Sequence, residues 1–124
     1  MTRVTGIGGI FFKADDCSGL ARWYREHLGV PADDEGHAMF HWREPDRERD
    51  GMTVWALFER DSDYFGTAQA YMINYRVDDL DAVLAALRAE GVAVDDRIAD
   101  EPYGRFGWIT DPAGNRIELW QPPP

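Results

Sequence analysis

Two apolar stretches, Gly6–Lys13 and Ala70–Val77, read as β-strands, and each gives way to a helical period. After the second, Leu80, Val83, Leu84 and Leu87 stand at i, i+3, i+4 and i+7, one apolar stripe along a helix. Asp78 or Asp79 can cap its free N–H groups, and Gly91 is placed to take the left-handed conformation that ends it. After the first, Leu20, Trp23, Tyr24 and Leu28 form the stripe, with Asp16 or Ser18 as the cap and Leu28-Gly29-Val30 as the exit. Asp16 and Asp79 are 63 residues apart and Gly29 and Gly91 are 62 apart, half of a 124-residue chain. Shorter strand candidates follow each helix: Ala38–Arg43 and Thr53–Phe58, then Arg105–Thr110 and Arg116–Trp120. The chain is therefore written twice, each copy reading β-α-β-β with room for one more strand.

The segment Tyr103–Trp120 is a strand, a tight turn and a strand. Asp111-Pro112-Ala113-Gly114-Asn115 is dense in turn-forming residues. Alternation puts Ile117 and Leu119 on one face, and Arg116, Glu118 and Trp120 on the other. Symmetric pairing about the turn sets Trp108 opposite Glu118 and Phe106 opposite Trp120. A carboxylate among rings can hold a metal, move a proton or pair with a cationic ligand, and an exposed strand glutamate can also do nothing. Burial among rings predicts a raised pKa suited to general acid–base work, which Arg116 or Arg105 nearby would oppose.

Three segments carry a family resemblance: Trp23-Tyr24-Arg25-Glu26-His27-Leu28-Gly29, Val77-Asp78-Asp79-Leu80-Asp81, and Asp111-Pro112-Ala113-Gly114-Asn115-Arg116-Ile117-Glu118-Leu119. Through them the chain resembles the vicinal oxygen chelate superfamily of glyoxalases, bleomycin-resistance proteins and extradiol dioxygenases. The resemblance implies an α+β fold, one domain over 1–124 built of two βαβββ modules at 1–62 and 63–124. It also implies a cupped mixed sheet around a small-molecule site with helices outside, and pairing into a homodimer. The family's metal ligands would fall on Gly9, Trp55, Met72 and Glu118. Glycine has no donor, tryptophan offers only an N–H, and a thioether is too soft for hard divalent ions. One carboxylate makes no tight site, so no metal and no other cofactor is expected. His37 and His41 share a strand face about 13 Å apart, too far for one ion. They and His27 read as surface or packed residues.

The expected cup is aromatic. Phe11, Trp55, Met72, Asn74, Phe106 and Trp108 are the candidate ligand-binding residues, Glu118 the candidate catalytic one, and Gly9, Lys13 and Arg76 share their faces. Small-ligand sites are mainly apolar with a few placed polar groups, although the same rings could fill a core. Gly6-x-Gly8-Gly9 lacks dinucleotide-binding spacing, and Cys17, the one cysteine, has no base identifiable beside it.

Composition narrows the partners. A net charge of −10 disfavours nucleic acid and anionic membranes and is compatible with a cationic or aromatic small ligand. No long apolar span or signal peptide is evident, and the lone cysteine fits a reducing cytoplasm. Arg43–Gly51 and the acids of Asp95–Glu101 read as solvated hairpin loops. Three functions follow: a metal-free binder of a small organic molecule, a glyoxalase-like lyase or isomerase using Glu118 as base or metal ligand, or an interaction module with a closed cup.

Overall fold

A computed structural model describes residues 3–44 and 49–124. Seven strands and two helices follow in the order β1 (Val4–Ala14), α1 (Cys17–Leu28), β2 (His37–Glu44), β3 (Arg49–Glu59), β4 (Tyr71–Val77), α2 (Leu80–Ala89), β5 (Ala93–Glu101), β6 (Gly104–Thr110) and β7 (Arg116–Gln121). This is an α+β fold with mixed strand pairing. The second copy is a full βαβββ module, and the first shows βαββ among the described residues. Two compact units emerge, residues 9–71 and residues 72–124 with 1–8, so that β1 contributes to both. No helix among the described residues is long and apolar enough to cross a membrane.

In the 9–71 unit the strand order is β2-β3-β1, with β3 parallel to β1 and antiparallel to β2. Helix α1 starts where Asp16 accepts a hydrogen bond from the Gly19 N–H at 2.9 Å, and it stops at left-handed Gly29. Its inward stripe is not the expected one. Ala21 is fully buried and Cys17, Leu20 and Tyr24 pack beside it, whereas Trp23 and Leu28 are 48% and 63% exposed. Residues 17, 20, 21 and 24 also stand at i, i+3, i+4 and i+7. The larger side chains lie outside because the sheet face beneath α1 already holds Phe12 and Trp55, which leaves room for alanine.

In the other unit the order is β1-β4-β7-β6-β5, with β4 and β7 parallel and β7, β6 and β5 antiparallel. Asp79 caps α2 through the Ala82 N–H at 3.1 Å, and Gly91 beyond it has φ 81°. Leu80, Val83 and Leu84 are buried with Val77 and Leu119, and Leu87, Ile109 and Ile117 close the cluster. The face assignment of Ile117 and Leu119 therefore holds. The acidic stretch 95–101 is a strand rather than a loop. It is the outermost strand, its charges reach water or arginines, and the register shift between Val94 and Ile98 bends it. Of the other expected hairpin loop, residues 43–44 belong to β2 and 49–51 to β3, and residues 45–48 lie outside the described residues.

Candidate functional site

The face of β4, β7 and β6 turned away from α2 gathers most of the candidate residues. Pairing registers Asn74 with Glu118 and Arg76 with Trp120 across β4 and β7. It registers Trp108 with Glu118 and Phe106 with Trp120 across β6 and β7, as symmetric pairing about the turn predicts. That turn is held by Asp111, whose carboxylate accepts from the Ala113 and Asn115 N–H groups at 2.9 Å each. The Asn115 backbone and side chain, then the Ala113 and Gly114 N–H groups, hold this carboxyl below its ordinary range. A rigid two-strand ladder thus fixes where Glu118 points.

Glu118 is 1% exposed. Its Oε1 accepts from Asn74 Nδ2 at 2.7 Å and its Oε2 from Trp108 Nε1 at 2.9 Å. A buried carboxylate without donors would be very costly, and these two neutral donors offset part of that cost. The carboxylate also decides the orientation of the Asn74 amide, because only its NH2 end can face an acceptor. Asn74 Oδ1 is then turned toward Gly8 on β1 and has no hydrogen-bond partner. A Cβ at Gly8 would overlap that oxygen, so glycine is what lets Asn74 reach Glu118.

Aromatic and guanidinium groups surround this centre. Phe106 and Trp120 stack at 6.0 Å with planes 3° apart, and Tyr103 meets Phe106 edge-on at 5.6 Å. Trp120 Nε1 donates to the Tyr103 carbonyl at 2.9 Å, which satisfies its polar end. Arg76 lies 5.3 Å over the Trp120 ring, and Arg97 and Arg116 lie 5.0 and 5.2 Å over Trp108. Arg116 also pairs with Asp95 at 3.1 Å. The Arg97 N–H first, then Arg116, keeps the Asp95 carboxyl below its ordinary range. Arg105 points to the opposite face, bridging Asp81 and Asp100 at 2.7 Å each, which raises its own pKa.

Five of the candidates, Met72, Asn74, Phe106, Trp108 and Glu118, are buried in the 72–124 unit, and Met72 is fully so. Phe11 and Trp55 belong to the 9–71 unit, on opposite faces of its strands. Phe11 packs on Phe58 at 5.4 Å, whereas Trp55 meets Phe12 and Tyr24 beneath α1. Trp55 therefore does not share a face with Phe11. The half-chain offset missed the register by one residue, since the loops of the two copies differ in length and a one-residue slip reverses a strand's faces. Lys13 is buried, its Nζ donating to the Phe65 and Gly66 carbonyls at 3.3 and 3.0 Å. His37 and His41 are exposed on β2, and His27 lies against Trp23 on the outer side of α1. Burial, then Glu59, pushes the Cys17 thiol up, which suits a packed thiol rather than a nucleophile. Arg97 escaped the sequence reading because its segment looked like a loop. Gly8 could have been found only by knowing which side chain faces it.

The donors at the family's metal positions do not fit a divalent ion. Gly9 offers no side-chain donor, Met72 offers only a thioether, and in the register seen here Ala56 rather than Trp55 takes the position equivalent to Glu118, which leaves Glu118 as the one carboxylate among them. Among the described residues, no group of three or more His, Cys, Asp or Glu side chains could hold a metal.

Residues 6–119 match the family model described as Glyoxalase/Bleomycin resistance protein/Dioxygenase superfamily. No curated protein matches the chain significantly in sequence. Among solved structures, methylmalonyl-CoA epimerase from Mycobacterium tuberculosis is 23% identical with a TM-score of 0.66, over 100% of this chain and 92% of that one. A Streptomyces coelicolor methylmalonyl-CoA epimerase variant in complex with 2-nitronate-propionyl-CoA is 22% identical with a TM-score of 0.70, over 94% and 96%. An NAD-dependent benzaldehyde dehydrogenase structure from Legionella pneumophila is 13% identical with a TM-score of 0.61, over 90% and 96%. At these identities the likeness is one of fold.

Proposed function

Because the chain belongs to the glyoxalase/bleomycin resistance protein/dioxygenase superfamily, we propose that it binds a small organic molecule on the aromatic face of β4, β7 and β6, without a resident metal. The observation that carries this reading is the Asn74–Glu118–Trp108 cluster, a carboxylate locked among rings by an amide and an indole N–H. The two donors fix the direction of the carboxylate within the rings. Rigid rings with one fixed polar anchor are the make-up of a small-ligand site. Native mass spectrometry of the chain purified without chelator, paired with elemental analysis, tests it. A co-purified organic molecule and no stoichiometric metal support the reading. A stoichiometric cation bound through Glu118 ends it. No change in melting temperature across a broad ligand library would leave these rings as a packed core.

A second reading has Glu118 as the base of an isomerase or lyase acting on a carbon acid. Its specific support is that the carboxylate is held in one orientation before any substrate arrives, as proton abstraction requires. Several of the structures with this fold are methylmalonyl-CoA epimerases. Under this reading Glu118→Gln abolishes turnover and leaves binding within about tenfold. Undiminished turnover in that variant would rule it out.

A further inference from the structure

We infer that the outer edge of β2 is an interaction surface, and that it pairs antiparallel with the same edge of a second copy of this chain. In the second module β6 is covered on its outer side by β5. In the first, β2 holds the position of β6, antiparallel to the module's last strand, and no described strand lies beyond it. The stretch 30–36, which stands in sequence where β5 does in the second module, forms no strand. The Leu57 N–H donates to the Gly36 carbonyl at 2.9 Å, and the β2–β3 register sets these two residues opposite each other. Antiparallel strands exchange bonds at alternate pairs, so Ala38, Phe40 and Trp42 bond to β3, while His37, Met39 and His41 turn their N–H and C=O groups outward. At His37 Asp33 takes both, the carbonyl through its N–H at 2.8 Å and the N–H through its carboxylate at 2.9 Å. Among the described residues none bonds the outward groups of Met39 and His41.

This edge lacks the devices that keep other strands away from β5. Strand β5 is bent by its register shift and carries Asp95, Asp96, Asp100 and Glu101. Strand β2 pairs without a shift, and from His37 to Trp42 it has no carboxylate, lysine or proline. Met39 and Phe40 stand on opposite faces of it and are 54% and 43% exposed. A net charge of −10 makes two copies repel, least along a stretch free of acids. The edge is also complementary to itself. A two-fold axis at Phe40 sets Met39 opposite the partner's His41 and His41 opposite the partner's Met39, so the outward groups of each copy meet those of the other. Phe40 then faces its own counterpart at a pair without ladder bonds, where side chains come closest and two rings attract. An axis at Met39 would instead oppose His41 with His37, whose groups Asp33 already holds.

Sedimentation equilibrium of the full chain from about 1 to about 100 μM tests the inference and should show a reversible dimer. His41→Pro removes an outward N–H and leaves the bonds to β3 in place. It should weaken the dimer at least about tenfold while the far-UV circular dichroism stays the same. Phe40→Lys, at an exposed position, sets two ammonium groups opposite each other and should weaken the dimer by a similar factor of about ten. In the unaltered chain, amide exchange at Met39 and His41 should slow as the concentration rises, while exchange at Ala38 and Phe40, whose N–H groups face β3, should not. A chain still monomeric at about 100 μM overturns the inference. So does a dimer that neither variant weakens, with exchange at Met39 and His41 independent of concentration, because another face then joins the copies.

Discussion

At Gly8 the backbone of β1 comes close enough to Asn74 that no Cβ fits between them. Gly8→Ala should push the amide off Glu118 and cost about 1–3 kcal/mol, read as a lowered urea midpoint with an unchanged slope. Glu118→Gln keeps the shape but turns an NH2 toward either the indole or the amide donor. The same measurement should show a loss of about 1–3 kcal/mol, for one buried donor left unmet. A neutral result for both variants would mean that the cluster does not hold the carboxylate. Much at this scale was legible beforehand. The opposition of Trp108 to Glu118 follows from a turn of known chemistry and a strict period of two. The Asn74–Glu118 bond was not legible, because it joins residues 44 apart on parallel strands whose register no local turn sets.

The two helices show how far periodicity carries at the scale of the element. In α2 the bulky residues are the buried ones, and Leu84→Ala should cost about 2–5 kcal/mol. In α1 the bulky Leu28 is mostly exposed, so Leu28→Ala should stay within about 0.5 kcal/mol in a parallel melt. A large loss at Leu28 would reverse the assignment of the buried stripe to Cys17, Leu20, Ala21 and Tyr24. Asp79→Ala removes the cap of α2 and should cost about 0.5–2 kcal/mol. The α1 stripe was misread because alanine and cysteine carry a weak hydrophobic signal while tryptophan and leucine carry a strong one. What lies under the helix decides which is used.

For the whole molecule, charge sets the response to acid. The carboxyls of Asp33, Asp95 and Asp111 all titrate below their ordinary value of 3.8, held mainly by backbone N–H groups. A depressed native pKa contributes stability that is complete above the unfolded value and is lost as pH falls through the native one. Urea midpoints should therefore not fall on this account from pH 7 down to about pH 5, and should drop below about pH 4. A loss already complete at pH 5 would point to other groups. The three carboxyls secure the loop leading into β2, the bulge of β5 and the turn into β7, so acid should loosen connections before cores.

Period, cap and turn chemistry are local, and they sufficed to determine the duplicated order of elements, the α2 core face, the hairpin that presents Glu118 and the family resemblance. Side-chain direction across strands distant in sequence is not local. Tertiary structure alone decided that Trp55 lies beneath α1, that 95–101 is a strand, and that arginines from β4, β5 and β7 meet on two indoles. A shift of one residue in a loop inverts a strand's faces, and composition records the sum of charges but not where they converge.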